Sequence, residues 1–166
     1  EMALGNVNAT NAYNTTVNVY NGQISGVLKG YNVITGVESY EEGNVFGGGL
    51  GDADHAAMVR GTVHVNVGKA NTYPSCDLEG KATLRHCNVF GCNNVNGSPQ
   101  YHVYVDIYKT AQVQGETTVV GDDYAILTTF GGGNRANYAP NGWGQHSPFV
   151  KTHVYVHGCD NTIQYV

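Results

Sequence analysis

A chain of 166 residues is long enough for one domain with a sizeable core, yet only 13% of its residues are charged, well below the roughly 25% of an average soluble domain. Its 23 glycines, and an apolar set drawn from Val, Tyr, Ala and Ile, suit strands and turns and not helices. The net charge of −5, with eight scattered basic residues, argues against a nucleic-acid partner, and no apolar run approaches the ~20 residues of a membrane-spanning helix.

In chain order, Met2-Ala3-Leu4-Gly5-Asn6 is a degenerate copy of a stretch that returns three times. Its full forms are Asn44-Val45-Phe46-Gly47-Gly48-Gly49, Asn88-Val89-Phe90-Gly91-Cys92-Asn93 and Thr128-Thr129-Phe130-Gly131-Gly132-Gly133-Asn134. The anchors at positions 4, 46, 90 and 130 lie 42, 44 and 40 residues apart, a period that signals a solenoid, propeller or array. The chain therefore reads as one repeat domain, 1–166, with units 1–43, 44–87, 88–127 and 128–166.

Each unit carries an alternating strand: Thr16–Tyr20, Thr62–Gly68, His102–Ile107 and Thr152–His157. Further β-like segments are predicted at Ile24–Leu28, Val33–Val37, Ala82–Cys87, Thr117–Val120, Tyr124–Leu127 and Thr162–Val166, with loops at Gly48–Gly61, Cys92–Gln100 and Gly132–Lys151. Aligning the strands predicts two inward columns, Val17–Val63–Val103–Val154 and Val19–Val65–Val105–Val156, with Asn18, His64, Tyr104 and Tyr155 outward. One unit cannot bury its apolar face alone, whereas stacked units bury it together. The expected fold is all-β: a parallel β-helix, or β-solenoid, of about four irregular coils, with a β-propeller-like repeat as the alternative. The aromatic before each Gly cluster is expected to stack in a Phe column.

A Thr-Val-x-Val strand followed by a turn and Asn-Val-Phe-Gly-Gly-Gly resembles the Gly-rich repeat regions of large secreted or surface proteins of gut-type bacteria. Those regions are described as adhesin-like and as right-handed parallel β-helices. The resemblance implies an extracellular or cell-surface location and carries over no catalytic residues.

Five residues of the fourth loop, Arg135, Asn137, Tyr138, Trp143 and His146, form a candidate glycan-binding set, with Trp143 to stack on a sugar face and Arg and Asn to bond its hydroxyls. The competing reading folds Trp143 back over an apolar edge. Gly49-Leu50-Gly51-Asp52-Ala53-Asp54 resembles the calcium turns of nonapeptide β-rolls, but its Asp is off position and tandem copies are absent. A solvated turn is the simpler reading; were calcium bound, Asp52 and Asp54 would be its donors. No other cofactor is expected.

The four cysteines, at 76, 87, 92 and 159, leave disulfide pairing open, and a buried ladder thiol is favoured for Cys92. A metal at His86, Cys87 and Cys92 lacks the second pair that zinc spacing requires. On the outward face His64 and Asp106 are the best acid–base pair, which keeps a polysaccharide lyase or hydrolase as the enzymatic alternative, although such chemistry needs more than one carboxylate. With neither end reading as a polar or helical cap, the ends are expected to stack on adjacent repeats or on copies of the chain. The reading overall is a non-catalytic structural or adhesive module, possible self-association included.

Overall fold

Strands about 40–50 residues apart in the chain pair with one another, side by side and parallel. The computed structural model describes residues 14–20, 22–41, 43–68, 82–108, 110–111, 125–140, 150–157 and 161–166. Among them there are fifteen strands and no helix. The valine strands β1 (Thr15–Val19), β7 (Val63–Val67), β11 (Val103–Ile107) and β14 (Thr152–Val156) form one four-stranded parallel sheet in that order. The three strands that end on the Phe before Gly47, Gly91 and Gly131 form a second sheet with β15 (Ile163–Tyr165): β5 (Asn44–Phe46), β9 (Cys87–Phe90) and β13 (Ile126–Phe130). Two smaller parallel sheets join β2 (Gln23–Ser25), β8 (Ala82–Arg85) and β12 (Thr110–Ala111), and β6 (Ala57–Val59) with β10 (Gly97–Pro99).

The protein is thus all-β with mostly parallel sheets. Pairing between repeats is the opposite of a propeller blade, whose strands pair antiparallel within one repeat. Asn88 is the register partner of both Asn44 and Thr128.

The register differs from the expected one by two residues at both outer strands. Val17 lies beside Val65 and not Val63, and Val154 beside Val105 and not Val103. The inward columns are Thr15–Val63–Val103–Thr152, Val17–Val65–Val105–Val154 and Val19–Val67–Ile107–Val156. A slip of two keeps every side chain on its face, so alternation alone does not distinguish these registers.

The core is built from these columns. Val63, Val65, Val67, Val103, Val105 and Ile107 are fully buried, joined by Val89, Ile126, Cys87 and Cys92. Full burial is worth about 1.5–3 kcal/mol for each Val or Ile. The Gly after each Phe makes the approach possible. On Gly47 a Cβ would stand 2.5 Å from Val63 Cγ1 and 2.3 Å from the Gly91 carbonyl oxygen, so only glycine lets the second sheet close onto the first.

Three further differences from the sequence reading have local causes. Val33–Val37 is not a strand: β3 (Val27–Asn32) and β4 (Val37–Glu41) form an antiparallel hairpin whose turn spans 33–36. Asn32 Oδ1 accepts from the Ile34 and Thr35 amides, and Gly36 closes the turn at φ +70°. Ile24–Leu28 is divided between β2 and β3. The loops Gly48–Gly61 and Cys92–Gln100 each carry a short strand, β6 and β10, paired Ala57 to Gly97. Leu4, Thr117–Val120, Cys76 and Cys159 lie outside the described residues.

Cys87 and Cys92 are free and buried, and each thiol donates to a backbone carbonyl, Cys87 to Ala125 at 3.4 Å and Cys92 to Gly131 at 3.2 Å. Burial pushes both thiols up to about 12. In native protein at pH 8, a disulfide reagent should leave both unmodified, and denaturant should expose them; fast labelling of either in the folded state would contradict this packing. Because the folded value is raised, their contribution to stability is present below about pH 9 and lost as pH rises toward 12, by roughly 1.4 kcal/mol per thiol per pH unit.

Candidate functional site

Side chains between the inward columns point outward and stack from repeat to repeat. The register makes two outward columns, Thr16–His64–Tyr104–His153 and Asn18–Asn66–Asp106–Tyr155. His64 and Tyr104 stack at 5.0 Å, Tyr104 and His153 at 4.8 Å, with His102 tilted against both. In the second column Asn66 Nδ2 donates to Asn18 Oδ1 at 2.8 Å. Strand neighbours at parallel spacing bring identical or planar groups to stacking distance, which is why aromatic and amide ladders form here.

The expected His64–Asp106 pair is not the one formed. His64 lies in the Tyr104 column, and Asp106 instead meets His157 Nε2 at 2.7 Å. His157 in turn stacks on Tyr108 at 4.6 Å. The cause is the register: Asp106 stands level with Asn66, one side-chain pair along the strand from His64. Burial, followed by the charge of Asp106, raises the Tyr108 hydroxyl above its ordinary value. On these outward columns, among the described residues, Asp106 is the single carboxylate.

Of the fourth-loop set, Arg135 and Asn137 are exposed. Tyr138 turns back on the protein: its ring packs against the core and its hydroxyl donates to the Tyr101 carbonyl at 2.9 Å. Burial pushes that phenol up to about 12. Tyr138 therefore pegs the loop to the Tyr101 backbone, while Arg135 and Asn137 face solvent. Trp143 and His146 lie outside the described residues.

The Asp52 carboxylate is spent on its own turn. Its Oδ1 accepts from the Asp54 amide at 2.9 Å and the His55 amide at 2.7 Å, and it meets His55 Nδ1 at 2.9 Å. The Asp54 amide bond, then the His55 contacts, hold this carboxyl below its ordinary range. Asp54 is exposed. Among the described residues no three His, Cys, Asp or Glu side chains converge on one point. His86 stacks on Tyr40 at 3.8 Å while Cys87 and Cys92 face the core.

A second surface went unnoticed in the sequence. Asn44, Asn88 and Thr128 stand two residues before Phe46, Phe90 and Phe130, and so share the outward face of the β5–β9–β13–β15 sheet. The rings stack at 5.0 and 5.8 Å, giving the expected Phe column. Beside them Asn88 Nδ2 donates to Asn44 Oδ1 at 2.9 Å, and Thr128 Oγ1 donates to Asn88 Oδ1. A groove of about 660 Å³ crosses this face, walled by Tyr40 and Glu41 of the hairpin and by Gly133 and Asn134. The signal was present in the repeat as an Asn or Thr two residues before each Phe.

No family model, curated protein or solved structure matches the chain.

Proposed function

We propose that this chain is a non-catalytic structural or adhesive module, an extracellular parallel β-solenoid whose sheets continue across its ends onto a second copy or adjacent repeats. The solenoid reading is supported by two four-stranded parallel sheets in which each repeat's strands stack on those of the next. The extracellular, adhesin-like reading rests on the resemblance of the repeat motif, and glycan contact through Arg135 and Asn137 accompanies it.

One observation carries the association. In the Val19–Val67–Ile107–Val156 column the two inner residues are fully buried, whereas Val19 is half-buried and Val156 is 47% exposed. Among the described residues no strand pairs with the outer edge of β1, β5, β14 or β15. A parallel edge with an open apolar column is completed by the same edge chemistry of another repeat. Such a contact is heterologous, joining unlike ends, and gives filaments when it does not close.

Negative-stain electron microscopy across a concentration series tests this. Filaments that lengthen with concentration are expected; monodisperse single particles at every concentration would overturn it.

A further inference from the structure

We propose that the groove across the Phe90–Phe130 ladder is a binding site for a neutral oligosaccharide. This deepens the glycan-contact part of the proposed function, rests on that reading, and moves the contact from the fourth loop to the outer face of a sheet.

The groove has the size of small-ligand sites, about 300–1,000 Å³. Its lining has two rows. One is amide and hydroxyl: Asn44, Asn88, Thr128 and, at the far wall, Asn134. The other is aromatic, and its last ring, Phe130, is 44% exposed where Phe90 is 6%. A sugar ring presents the same division, an apolar C–H face and a polar hydroxyl rim. The C–H face suits the open side of Phe130, and the rim suits the amide row.

The polar row is held in place before any ligand arrives. Asn88 is fixed between Asn44 and Thr128, and Asn134 Nδ2 donates to Asn94 Oδ1 at 3.0 Å. These bonds leave the Asn44 amide hydrogens as donors and Asn134 Oδ1 as an acceptor, so the row offers both senses of hydrogen bond. Hydroxyl groups, which donate and accept, satisfy both. Because the side chains are already ordered, binding costs little rotamer entropy.

Charge selects among sugars. Among the described lining residues Glu41 is the carboxylate, and it is paired with Lys29, while the Tyr40 hydroxyl donates to Glu38. With no cation among the described lining residues, an acidic glycan would leave its carboxylates unmatched there.

The test is isothermal titration calorimetry of the whole chain with cellohexaose, xylohexaose and mannohexaose, with hexagalacturonate as the charged counterpart. At least one neutral hexasaccharide should bind, and Phe130→Ala should weaken it about tenfold. Asn134→Ala, an exposed position, should weaken it severalfold, and Lys151→Ala, exposed and outside the lining, should leave it unchanged. Circular dichroism of each variant confirms folding, and Asn134→Ala keeps the test open should Phe130→Ala misfold. Binding of none of the neutral probes, binding of the acidic probe alone, or neutral binding unaffected by both groove variants would overturn the site. Binding lost in Arg135→Ala and retained in Phe130→Ala would overturn the groove while leaving glycan contact through the loop standing.

Discussion

Gly91→Ala should destabilise the fold by about 3 kcal/mol, the upper end of what overpacking costs. The new Cβ would stand 2.4 Å from Val103 Cγ1, 2.6 Å from the Gly131 carbonyl oxygen and 3.0 Å from Val105 Cγ2. A side chain could rotate away, but the backbone oxygen is held next to β13, where it accepts from the buried Cys92 thiol at 3.2 Å. Gly91 N itself donates to the Phe130 carbonyl at 2.8 Å, so moving either strand breaks a rung-to-rung bond. Gly132, from the same motif one repeat on, is the control. A Cβ there meets nothing within 4 Å among the described residues, and Gly132→Ala should be neutral within about 0.5 kcal/mol. Urea unfolding of the two variants side by side measures the contrast. Equal midpoints would mean that the two sheets do not close on each other at Gly91.

The second large effect is a cavity. Ile107→Ala should cost about 2–5 kcal/mol, because Ile107 is fully buried between Val67 and Val156. Val156→Ala, in the same column, should cost well under 1 kcal/mol in the isolated chain, since Val156 is 47% exposed. Thermal unfolding at low protein concentration separates the two. A large loss at Val156 in the monomer would mean that the column is covered at that end.

The alternation in Val63–Val67 and Val103–Ile107 was enough to read faces, because the two-residue strand period maps directly onto inside and outside. It was not enough to read register at β1 and β14. Thr15 and Thr152 occupy inward positions that a search for valines skips, and a two-residue slip leaves the pattern intact. The Asp106–His157 pair does not follow from that slip: β14 sets Tyr155 level with Asp106, and His157 reaches back to it through its side chain. The hairpin of β3 and β4 was hidden by Val33-Ile34, a β-branched pair that reads as strand but sits in a turn held by Asn32 and Gly36. Tyr138 was legible as an aromatic on a Gly-rich loop; its bond to the Tyr101 carbonyl, which directs it inward, depends on a residue of another repeat. The Phe column was legible because Phe precedes each Gly cluster. The groove beside it needed the side-chain bonds between Asn44, Asn88 and Thr128 to be seen as a surface.

The central claim is that the open ends of the valine column are association surfaces. Sedimentation velocity of the wild type beside Val156→Lys, from micromolar to high micromolar concentration, tests it most directly. A lysine at this half-exposed position leaves the monomer folded but places a charge on the surface where the next copy would pack. The account predicts a sedimentation coefficient that climbs with concentration for the wild type and stays at the monomer value for the variant. A wild type that remains monomeric throughout, or a variant that associates equally well, would contradict it.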